Sequence, residues 1–119
     1  MTKATFFNDI KDSYVQMMAG LSSEVEDELL IDEKSDVDEV FYHYLHKLND
    51  SVVLLKNAKS AGDELTVQAA LVYIRVYSIR LSGFFEDIKD DTDTLLKVSV
   101  WPDMPENYQV PEHYKFPHK

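Results

Sequence analysis

"LTVQAALVYIRVYSIRLSGFF", residues 65–85, contains fourteen apolar residues among its twenty-one. At 100° per residue Gln68, Arg75, Ser78 and Ser82, with Glu86 just beyond, collapse into one narrow polar stripe. That pattern predicts a helix from about Asp63 to Lys89 that is apolar on most sides. Such a helix has to be covered on most sides, so it is either the centre of a bundle or part of a subunit interface. A chain of 119 residues has few other helices with which to wrap it, which makes a homodimer an expectation.

Upstream, "NAKSAGD" at 57–63 interrupts an apolar arc formed by Val37, Val40, Phe41, Tyr44, Leu45, Leu48, Val52 and Leu55. A long helix therefore runs from about Ser35 and ends in a turn. Phe6, Phe7, Ile10, Tyr14, Met17, Met18 and Leu21 fall within about 120° of arc and predict an amphipathic first helix ending near Gly20. Ser23 with Glu26 reads as a capping box that opens a short acidic helix around Val25, Leu29 and Leu30, and Ser35 with Asp38 repeats the signal.

Downstream, "TLLKVSVW" at 94–101 fits a last helical turn or a short strand, the alternation of Leu96, Val98 and Val100 favouring the strand. The tail "WPDMPENYQVPEHYKFPHK" contains all four prolines, which exclude regular helix, yet keeps Trp101, Tyr108, Val110, Tyr114 and Phe116. The fold expected is all-α: a small helical bundle over residues 1–100, three main helices plus the short acidic one. An extended Pro- and aromatic-rich arm at 101–119 finishes it, packed on the bundle or on a partner.

Charge supplies the functional lead. Residues 22–40, "SSEVEDELLIDEKSDVDEV", carry nine acids and one base, and "EDIKDDTD" at 86–93 carries five acids and one base. Together they exceed the net charge of −10, leaving the rest of the chain at about +2. A pI near 4.6 disfavours direct binding to nucleic acid or anionic membranes, where affinity comes from Lys and Arg, and favours a basic protein surface. There are no cysteines, hence no disulfide or thiolate chemistry. The N-terminal stretch has no apolar run of signal-peptide length and no stretch of eighteen apolar residues occurs, so a cytoplasmic protein is expected.

Catalytic and metal patterns are weak. Glu39, His43, His46 and Asp50 share one 60° stripe of the second long helix, but that stripe lies opposite its apolar arc and points to water. No metal and no cofactor are expected. Carboxylates three apart at Glu24/Asp27, Asp36/Glu39 and Asp87/Asp90 leave one alternative, a magnesium-dependent all-α enzyme of nucleotide pyrophosphohydrolase type. Three glycines make no phosphate-binding loop. Arg80, one of two arginines, lies between Tyr73 and Val76 and needs a carboxylate, an exit to solvent, or a bound anion.

The expectation that accounts for most of this is a non-enzymatic acidic protein that inhibits or sequesters a basic or nucleic-acid-binding protein. Its contact residues would be Glu24, Glu26, Asp27, Glu28, Asp32, Glu33, Asp36, Asp38 and Glu39 on an ordered acidic surface, with Trp101, Tyr108, Tyr114 and Phe116 as aromatic pegs.

Overall fold

A computed structural model describes residues 6–20, 29–98 and 101–117. Among them the chain is helical and contains no strand: α1 spans Phe6–Ala19, α2 Val37–Ala61 and α3 Glu64–Val98, with a single 3-10 turn at Glu112–Tyr114 in the tail. No helix is long and apolar enough to cross a membrane.

α2 and α3 form an antiparallel hairpin whose corner is two residues long. Gly62 adopts the left-handed conformation at φ 68°, its N–H donating to Lys59 O at 3.2 Å while Asp63 N reaches Ala58 O at 3.0 Å. This pair of bonds satisfies the last carbonyls of α2 and reverses the chain. Asp63 then caps α3 at once: its carboxylate accepts from Thr66 N at 3.1 Å and from Thr66 Oγ1 at 2.6 Å. Those bonds, the side-chain one foremost, hold the Asp63 carboxyl below the usual carboxylate range.

Each helix offers the other a row stepping alternately by four and three residues. On α2 it is Val37, Phe41, Tyr44, Leu48, Ser51, Leu55 and Ala58; on α3 it is Ala70, Ile74, Tyr77, Leu81, Phe84, Ile88, Asp91 and Leu95. Every one of these residues is buried or half-buried, as the facing seams of a coiled-coil hairpin must be. α1 packs on the open end of the hairpin through its Phe7 ring, 4.6 Å from Phe41 and 5.0 Å edge-on from Phe84, and Tyr14 Oη meets Thr92 Oγ1 at 2.6 Å.

The dimensions correct the expected bundle. A compact chain of this length has a radius of gyration of about 13–14 Å; this one measures 19.7 Å, with extents of 60 × 36 × 26 Å. Among the described residues only Phe7, Met18, Val37, Ala58, Ala70 and Leu95 are buried apolar side chains. α3 is thus not the wrapped centre of a bundle. One flank packs on α2 and the far flank faces outward.

Two local expectations change, and a third falls largely outside the described residues. The short acidic helix expected from Ser23 around Val25, Leu29 and Leu30 lies mostly on residues 21–28, which are outside the described residues; Leu29–Ser35 beyond them is irregular. The N-cap of α2 is Asp36, accepting from Glu39 N at 3.1 Å, while Ser35 Oγ turns back to Asp32 O. "TLLKV" continues α3 to Val98, so the strand reading is wrong there, because Leu95 falls on the row that packs and is buried. Beyond Val100 the tail lies on the surface, with Trp101, Tyr108, Tyr114 and Phe116 all exposed and Val110 half-buried.

Candidate protein-binding surface

The first turns of α1 and α2 meet and cap each other. Asp38, in the first turn of α2, accepts from Phe7 N and Asn8 N of α1, each at 3.2 Å. Asn8 returns the bond: its Oδ1 accepts from Val37 N at 2.8 Å while its Nδ2 donates to Asp36 Oδ1 at 2.8 Å. Helix N-termini carry unsatisfied N–H groups and partial positive charge, so carboxylates placed between two of them are stabilised by the backbone. The Asn8 bond, then the Glu39 N–H, hold the Asp36 carboxyl below its ordinary range.

Asp38 therefore leaves the set of surface contacts. It is buried, and its carboxylate is occupied by backbone. Asp91 repeats the device from the other acidic run: fully buried on the inner row of α3, it accepts from Leu30 N at 2.7 Å and Ile31 N at 2.9 Å.

These bonds fix residues 30–36, just ahead of α2. Leu30 and Ile31 are held by Asp91, Lys11 Nζ donates to Ser35 O at 2.8 Å, and within the turn Ser35 N reaches Asp32 O at 3.1 Å and Lys34 N reaches Asp32 Oδ1 at 3.0 Å. The turn is tied at both ends and in the middle. From it Asp32, Glu33 and Asp36 project into solvent, joined by Glu39 on the first turn of α2. Asp12 of α1 lines the same shallow cleft as Glu33 and Lys34, extending the acidic edge. Of the remaining expected contacts, Glu24, Glu26, Asp27 and Glu28 lie outside the described residues, and Trp101, Tyr108, Tyr114 and Phe116 are exposed on the tail.

Arg80 exits to solvent. It lines a groove with Val40, Tyr44, Ile79, Gly83, Phe84 and Asp87, and the carboxylate in that groove makes it a poor anion site. Asp87 itself is pushed up, first by desolvation and then by the charges of Asp91, Asp90 and Glu86. Glu39, His43, His46 and Asp50 are all exposed, and among the described residues no group of three His or acidic side chains is placed to hold a metal ion.

The backbone role of Asp38 and Asp91 was missed by sequence reasoning, though one signal existed for Asp91. It occupies a seam position between Ile88 and Leu95, where a charge has to find donors. Compared with protein-family models, curated proteins and solved structures, the chain matches none.

Proposed function

We propose that this chain is a non-enzymatic binding protein that engages a basic or nucleic-acid-binding protein partner and blocks it. The observation that carries this reading is the tied turn at 30–36, which holds Asp32, Glu33, Asp36 and Glu39 at fixed spacing in solvent. An acidic run that has to order itself on binding loses ordering entropy at that moment; one already fixed by backbone bonds does not. Fixed anionic spacing is what complements a surface built to receive phosphates, and steering by the net charge of −10 speeds the encounter.

Glu33→Lys with Glu39→Lys tests it, since both side chains are exposed and it is the Glu39 backbone N–H, not its carboxylate, that enters the cap of α2. Asp50→Lys with Glu64→Lys, equal in charge change and placed away from the turn, serves as the control. The tagged protein is used to capture partners from native lysate at low and high salt, with the captured chain identified and its affinity measured. The turn variant should lose affinity by about 10- to 100-fold at low salt while the control binds nearly as wild type. Equal weakening by both would show that net charge alone operates, and no weakening by either would move the contact elsewhere.

A further inference from the structure

α3 carries a second row with the same four-and-three stepping as the one that packs on α2: Leu65, Ala69, Val72, Val76, Ile79 and Gly83. At 100° per residue it is centred about 130° farther round the helix, outside the seam with α2, with Ile79 and Gly83 bordering the groove beside Val40 and Tyr44 of α2. All six positions are exposed, Leu65 at 80 %, Val72 at 56 % and Ile79 at 55 %. A solvated face has no reason to repeat a heptad of apolar and small residues over about 27 Å of helix.

We propose that this row is the seam of an antiparallel homodimer, α3 against α3 of a second copy. Two observations select a second copy and its direction. First, a chain of net charge −10 repels its own copies over most of its surface, but residues 65–85 contain no acidic residue at all. With Val76 opposite Ile79 of the second copy, residues 70–85 face one another and meet without opposing carboxylates, so the seam proper is Val72, Val76, Ile79 and Gly83. Second, the flanking residues discriminate orientation. Arg75 and Arg80 lie on opposite sides of the row, five residues apart. In a parallel pair such positions face each other across the seam, so Arg75 of each copy would oppose Arg80 of the other, twice. In an antiparallel pair residues on the same side of the row face each other. With Val76 packed on Ile79 of the second copy, Tyr73 then meets Arg80 of the second copy, and the two-fold axis repeats the contact. Gly83 takes up Val72 of the second copy, where nothing within 4 Å of its Cα side crowds the approach.

Sedimentation equilibrium of the full chain at about 100 µM should give twice the 13.8 kDa chain mass. Val76→Glu puts a charge in the seam and should raise the dissociation constant by at least about 100-fold. Ile79→Gln, at a more exposed position, should weaken it in the same direction without introducing a charge. Leu71→Glu, exposed on α3 but outside the row, should leave the dimer intact. Far-ultraviolet circular dichroism should show all three variants helical. Because the chain has no cysteine, Leu65→Cys accepts a single spin label. The two labels should lie about 35–40 Å apart in the antiparallel pair and within about 15 Å in a parallel one. A monomeric wild type, which would leave the row to a helix of another protein, overturns the proposal. So do a short label distance and equal weakening by Leu71→Glu and Val76→Glu.

Discussion

A carboxylate sealed from water with no base beside it is stable only where backbone N–H groups take the place of its hydration, and Asp91 and Asp38 each find two. Their partners sit 61 or 60 and 31 or 30 residues away in the chain, which is why the acidic runs read as solvated surface when taken as sequence. Composition gives the charge; only the tertiary contact decides whether it meets water. Asp91→Ala should cost about 1–3 kcal/mol in urea unfolding, because two part-buried N–H groups lose their acceptor and a buried side chain is removed, and hydrogen exchange at Leu30 and Ile31 should speed up with it. An unchanged midpoint would mean that water replaces the carboxylate at no cost. Asp87 behaves in the opposite sense. Desolvation and three neighbouring acids make the folded protein hold this proton to higher pH than the unfolded chain does, so the folded state binds more protons and loses stability as pH rises through that range. Asp87→Asn should therefore raise the melting temperature at pH 7, with the gain shrinking as pH falls toward about 4. Asp36 and Asp63, held low by their caps, contribute stability that is present above the ordinary carboxylate range and lost on acidification.

Helix identity was legible because periodicity is a property of neighbours in sequence: α1, α2 and the turn that ends α2 within "NAKSAGD" all recur, although Phe6 and Met17 of the expected α1 face and Val40, Leu45 and Val52 of the expected α2 arc are exposed. Helix ends were less legible. The Ser35 with Asp38 signal lies one residue from the cap that forms at Asp36, since Asn8 of α1 competes for the same turn. α3 runs nine residues past Lys89 because Ile88 and Leu95 continue its inner row, whereas the acidic spelling of 86–93 suggests an ending. At the corner, Gly62→Ala tests whether the left-handed residue sets the hairpin. No atom lies within 4 Å of an added Cβ, so the cost is backbone strain alone, about 1 kcal/mol, and Gly62→Asn should cost less. Thermal unfolding checks both. A loss much larger than this would mean that the corner supports packing beyond its own turn.

The whole molecule is elongated, and its charge is placed so that the two proposed interfaces should respond to salt with opposite signs. On the proposed reading, Asp32, Glu33, Asp36 and Glu39 would attract a basic partner through unlike charges, and raising NaCl from about 50 to about 300 mM would shorten the screening length and weaken that attraction. Two copies of a chain carrying −10 repel each other, and the same salt removes part of that repulsion while leaving the burial of Val72, Val76 and Ile79 intact. Self-association should therefore tighten with salt as partner binding loosens, both measured on the same preparation by sedimentation and by titration with the captured partner. The sign is the discriminating quantity. If self-association also weakens with salt, copies are joined by unlike charges, an acidic turn of one against the Arg75 and Arg80 flanks of another, and the apolar row of α3 is then free for a different chain.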